Sequence, residues 1–225
     1  MPPLGHSIGY KMQTFKQYIE ESTEAETTLP PAGHKVWYRG DATNFPAFDT
    51  ERASENSTVG AAFLRGGSGF YFLNNFNSGV GGKWAGRPVT RKFYIGGNIL
   101  EGGAGWGVAT EARLRIAGLE WEELHPEFRK HLESGEVTKA KWSGWSTTSR
   151  AMRVSELRSP GMWQQLSTLG WTGATSRWQG EDDMSTLLVF PDAAGTIIIP
   201  QDTEVDPKTL KPKIFNNTKS DMRSP

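Results

Sequence analysis

Val36-Trp37-Tyr38-Arg39-Gly40, then Gly66-Gly67-Ser68-Gly69-Phe70-Tyr71-Phe72, then Gly81-Gly82-Lys83-Trp84-Ala85-Gly86: these three pieces decide how the chain reads. The first is a short apolar strand that ends in a cation and a glycine. The second is an aromatic strand led by glycines, which predicts a strand entered from a tight turn. The third is a glycine-rich, weakly helical run. An arginine at one strand end and a tyrosine in the next strand suit the two halves of a nucleotide pocket.

Around this stretch the bulk numbers set limits. A chain of 225 residues is one domain, or one domain with a tail, and can bury a sizeable core. Lys+Arg 25 balance Asp+Glu 25, so no global field draws the protein to nucleic acid or to an anionic membrane. The absence of cysteine excludes a disulfide framework, a thiolate zinc site and a thiol nucleophile. Met1 to Lys16 lacks an apolar core of signal-peptide length, and no apolar run approaches the ~20 residues of a membrane span. The expectation is a soluble, cytoplasmic protein. Gly 26 and Trp 9 point to many turns, short strands and an aromatic core.

In chain order, Met12 to Glu24 reads as a helix, with Phe15, Tyr18 and Ile19 on one face. Thr90 to Ile95 is a strand stopped by Gly96-Gly97, with Asn98-Ile99-Leu100 as a short continuation. Glu101 to Gly107 reads as a glycine loop. Val108 to Ala117 and Trp121 to Glu133 are helical, whereas Ala140 to Ser149 fits no period cleanly. Met162 to Leu169 is a helix capped by Gly170. Trp171 to Thr175, Ser185 to Phe190 and Thr196 to Ile199 are strands, and Gln179 to Asp183 is an acidic turn. From Gln201 onward the chain reads as a poorly packed polar tail. Short strands with helices that do not alternate regularly predict an α+β fold.

The same pieces resemble the ADP-ribosyltransferase superfamily, in the flavour of its phage and bacterial-toxin members. The likeness rests on Tyr38-Arg39-Gly40, Gly69-Phe70-Tyr71-Phe72-Leu73 and Trp84-Ala85. It continues through Lys92 to Ile95, Leu169-Gly170-Trp171-Thr172-Gly173-Ala174 and the closing Leu187 to Asp192. The resemblance implies a split β-sheet core with flanking helices over 34–200, a helical insertion at 101–161, an N-terminal helical segment at 1–33 and a tail at 201–225. It implies a mono-ADP-ribosyltransferase that takes NAD+ as substrate, without a metal, and modifies a host protein or RNA. Met12 to Glu21 is similar to the N-termini of small proteins of large tailed phages, which implies a phage-encoded, toxin-like effector.

Under the resemblance, Arg39 grips ribose hydroxyls or a phosphate through its forked donors. Tyr71 offers a ring face for nicotinamide. Gly40, Gly69, Phe70 and Trp84 line the nucleotide. A carboxylate before the closing strand stabilises the oxocarbenium-like transition state. The places where the family carries that Glu hold Thr186, Leu187 and Leu188 here, so the role passes to Glu181, with Asp183 as its rival. A second placement of the motif sets Ser146-Thr147-Thr148-Ser149 as a strand, with Ser146 in place of Tyr71. Arg39 and Glu181 serve under both. His125 and His131 are six apart, wrong for a helical metal pair, and no Gly-x-Ser-x-Gly elbow supports a hydrolase. Arg150, Arg153 and Arg158 form the one modest basic stretch for an RNA target, and nothing suggests DNA. The displaced carboxylate keeps open an inactive binding or virion-associated module, and a wholly unrelated α+β protein is the third reading.

Overall fold

The computed structural model describes residues 29–41, 43, 45–48, 69–76, 87–104, 107–157, 159–177, 185–201 and 203–213. The expected helix at Met12 to Glu24, the run 77–86 with Trp84, Arg158, and the acidic turn with Glu181 and Asp183 lie outside those residues. Within them the strands are β1 (Lys35–Asp41), β2 (Phe70–Leu73), β3 (Val89–Ile95), β4 (Ile99–Ala104), β5 (Gly173–Arg177), β6 (Ser185–Val189) and β7 (Ile197–Ile198). The helices are α1 (Thr110–Ala117), α2 (Pro126–Ser134), α3 (Lys139–Gly144), α4 (Thr147–Arg153) and α5 (Met162–Thr168).

The described strands form one mixed sheet in the order β4-β5-β6-β2-β1-β3-β7. All neighbours are antiparallel except β4 and β5. A parallel pair needs a crossover, and α1 to α5 supply it. The α+β class expected from the sequence holds. The segment 101–161 is not wholly helical: its first residues extend β4, where a glycine loop was expected. Glycine is a poor strand former, but here it permits contact. A Cβ on Gly102 would overlap the Thr175 carbonyl of the paired strand.

Cross-strand register sets the faces, because residues directly opposite share a side. One row runs Gly40, Tyr71, Leu188, Ala174, Leu100, and the next row runs Arg39, Phe72, Leu187, Thr175, Glu101. Leu100, Ala174 and Leu188 are buried in one apolar cluster with Ala112, Ile116, Phe128, Leu132, Met162 and Leu166 of the helices. On the other face of β4 and β5, Glu101 is exposed and Thr175 half-buried. At β4 and β5, then, the row that carries Tyr71 is the one packed in the core and the Arg39 row is the more open one.

Two further expectations change. Ala140 to Ser149 forms α3 and the start of α4, and Thr138 and Ser146 cap the two helices through their hydroxyls. The supposed polar tail is partly packed: Val205 is buried, its N–H donates to the Thr90 carbonyl, and the Lys92 N–H donates to the Thr203 carbonyl. A short polar stretch hides one apolar residue that closes against β3.

Candidate functional site

Arg39 stands on β1 opposite Phe72 of β2 and opposite Arg91 of β3. Its Nε donates to Asp41 Oδ1 at 2.6 Å, and its Nη1 donates a long 3.4 Å bond to the Tyr71 carbonyl. The guanidinium carbon lies 5.8 Å from the Phe48 ring centre and 6.0 Å from that of Phe72. The side chain keeps 19% of its surface in solvent. Arg39, Asp41 and Arg91 share one face because they alternate along β1 and pair across to β3.

Arg91 is 1% exposed. Its Nη1 donates to the Phe45 carbonyl at 2.7 Å, and its guanidinium lies 3.9 Å from the Phe45 ring centre. Its Nη2 is 3.9 Å from Asp41 Oδ2. Burial pushes the Arg91 guanidinium below its ordinary value; Asp41 works against that shift and Arg39 adds to it. The group stays charged, since arginine does not lose its proton in proteins. Asp41 is 9% exposed and sits between the two cations. Phe45 and Phe48 roof this cluster, and Phe48 packs edge-on against Phe70 and Phe72. Stacked rings favour cations and exclude water, which strengthens each charge beneath them.

Tyr71 does not join that cluster. It belongs to the other row, so its ring leaves the sheet on the opposite face, and it is 4% exposed. The structure thus brings the Arg39 guanidinium to the Tyr71 backbone but sends the two side chains to opposite faces. Gly40 lies opposite Tyr71, two strands from Leu188. Phe70 shares the Arg39 face and packs on Phe48. Gly69 is required by β6, since a Cβ there would overlap the Leu188 side chain and lie 2.8 Å from the Val189 carbonyl.

Ser146 is corrected. Its stretch is not a strand: Ser146 is the N-cap of α4, and its Oγ accepts from the Ser149 N–H at 3.2 Å. The serine-threonine run that resembled a motif strand is a helix start, the place where short hydroxyl side chains satisfy free N–H groups. Arg150 is corrected as a surface cation. It is 8% exposed and donates to the carbonyls of Trp142, Ala117, Leu119 and Ser143. Arg153 lies over the Trp145 ring. Trp121 and Trp142 are core residues that serve packing.

Sequence reasoning missed Asp41 and Arg91. The i, i+2 spacing of Arg39 and Asp41 was a usable signal, because a strand places such a pair on one face. Arg91 lies 52 residues away, and only the β1–β3 register brings it in. Among the described residues no group of three or more His, Asp or Glu is placed to hold a metal ion. No described helix is long and apolar enough to cross a membrane. Comparisons with family models, with curated proteins and with solved structures find no match.

Proposed function

We propose that the chain is an ADP-ribosyltransferase-like protein that binds NAD+ beside Arg39 and transfers ADP-ribose to a macromolecule, a host protein or an RNA. One observation supports this most: three strands that resemble the family's motifs, far apart in the chain, are hydrogen-bonded neighbours in the order β6-β2-β1. The acidic turn that holds Glu181 and Asp183 leads directly into Ser185, whose N–H donates to Asn74 Oδ1 at the end of β2. Arg39 lies opposite Phe72, and Phe72 opposite Leu187. Two strand spacings across and two residues along put the Cα atoms of Arg39 and Ser185 about 12 Å apart, from ~4.8 Å per strand and ~3.4 Å per residue.

In this reading Arg39 holds a phosphate or ribose hydroxyl, and Glu181, with Asp183 as its rival, faces the positive charge that grows on the ribose. The C1′–nicotinamide bond breaks, nicotinamide leaves as a neutral base, and the acceptor forms a new bond to C1′ with loss of its proton. The role assigned to Tyr71 passes to rings on the Arg39 face, of which Phe48 is half-buried and within reach of the guanidinium. A second reading has its own support. The Arg39–Asp41 ion pair and the burial of Tyr71 suit a fold that binds an anionic ligand without transfer.

The test is incubation of the protein with NAD+ labelled in the adenylate moiety, with and without host lysate, followed by gels and nicotinamide release. Label transfer that is lost in Arg39→Ala at an unchanged melting temperature supports the enzyme. NAD+ binding without label transfer or nicotinamide release, with an intact fold, favours the binding module. No NAD+ binding overturns the enzyme reading.

A further inference from the structure

We infer that Asp41 is the positioning residue of Arg39: it pins the guanidinium so that one amino group, Nη2, is held out toward a phosphate or hydroxyl oxygen of the bound nucleotide. The ligand half of this inference rests on the NAD+ reading above; the pinning does not. A guanidinium is flat and carries three nitrogens. In Arg39 two are engaged within the protein, Nε by Asp41 Oδ1 at 2.6 Å and Nη1 by the Tyr71 carbonyl at 3.4 Å. Two fixed nitrogens set the plane and its rotation, and the third has no hydrogen bond to a described residue.

Asp41 is also in ion-pair contact with a second cation. Its other oxygen lies 3.9 Å from Arg91 Nη2, beyond hydrogen-bond length, and Arg91 is held beneath Phe45 by the 2.7 Å bond to that residue's carbonyl. Both arginines therefore lean on one carboxylate that is 9% exposed. The bond to Nε is charge-assisted and short, the strongest class of hydrogen bond in the cluster. A long side chain presented without such a partner would lose rotamer freedom on binding, and pre-organisation removes that cost.

The experiment uses the full chain labelled with 15N, with the Arg39 Nε–H resonance assigned by its loss in Arg39→Lys. Wild type is expected to show an Arg39 Nε–H shielded from solvent exchange. Asp41→Ala removes the shielding, and Asp41→Asn keeps it, because the amide oxygen still accepts. NAD+ titration by calorimetry is expected to give a dissociation constant raised about tenfold in Asp41→Ala and less than about threefold in Asp41→Asn. Rescue by the isosteric variant is what a merely structural carboxylate would not produce. Wild-type Arg39 Nε–H that exchanges as fast as an unfolded guanidinium overturns the pinning, and this reading needs no variant should Asp41→Ala fail to fold. Equal NAD+ affinity in wild type and a folded Asp41→Ala overturns the positioning role. A shielded Nε–H in a wild-type protein that binds no NAD+ overturns the nucleotide reading instead, while the pinning stands.

Discussion

Replacing Arg150 by alanine should unfold the helical layer's keystone rather than remove a target-binding charge. The side chain is 8% exposed, and its Nε donates to the Trp142 carbonyl at 2.7 Å. Its Nη1 serves the Ala117 and Leu119 carbonyls at 3.3 and 3.2 Å, and its Nη2 the Ser143 carbonyl at 3.4 Å. These acceptors lie at or just beyond the C-terminal ends of α1 and α3, where carbonyls run short of helical partners. Trp142 and Leu119 keep other donors, the Trp145 N–H at 3.2 Å and the Trp142 indole N–H at 3.0 Å. Alanine therefore orphans the Ala117 carbonyl, weakens the Trp142 and Leu119 acceptors and forfeits the long 3.4 Å bond to Ser143. A buried polar group left unsatisfied costs about 1–3 kcal/mol, and hydrogen bonds to a charged donor lie in the upper half of the usual range. The loss should total about 2–3 kcal/mol, or roughly 7 °C in melting temperature for a chain of this size. Urea unfolding followed by circular dichroism measures it. Arg153→Ala, which removes only the stack on Trp145, should stay within about 1 kcal/mol. An Arg150→Ala protein less than about 1 kcal/mol below wild type, at unchanged urea dependence, would refute the carbonyl count.

Ser146→Ala should cost about 1 kcal/mol, the usual value of an N-cap, and leave nicotinamide release untouched; denaturation and the NAD+ assay on the same sample check both. Gly161→Ala should cost more than about 2 kcal/mol, since φ is 75° and the added Cβ would lie 2.6 Å from the Phe128 Cα; thermal unfolding reads it. Burial lowers the His131 pKa below its ordinary 6.5, so the unfolded chain takes up a proton first as pH falls. Stability should be unaffected above pH 6.5 and decline below it until the folded-state pKa is passed. Urea midpoints at pH 7.5 and 5.5 should differ less in His131→Gln than in wild type, and an equal difference would refute the assignment.

Much of the architecture was legible because strand signals are local. The apolar runs at Val36, Phe70, Phe93, Gly173 and Leu187 alternate or lie between turn residues, and each became a strand of the sheet. The helix ended by Gly170 was legible for the same reason: that glycine sits at φ 89°, a conformation that favours glycine. The second half of β4 was not legible, because Gly102 argues against a strand in isolation, and only the close parallel approach of β5 makes it suitable. The serine-threonine run at 146 was misread because a helix cap and a motif strand use the same residue types.

By itself, then, the sequence determined the α+β class and most strand positions, for these depend on composition and short-range periodicity. The tertiary structure alone decided which side chains share a face. Strand alternation is a two-residue period, so one position separates the Arg39 side of the sheet from the Tyr71 side. No local pattern states the pairing that set Arg39 opposite Phe72 and Arg91. That pairing is chosen by burial of the whole sheet, with Phe48 and Phe93 closing one face and the helical layer the other. It is why Arg39 came to be joined by Asp41 and Arg91 instead of by Tyr71.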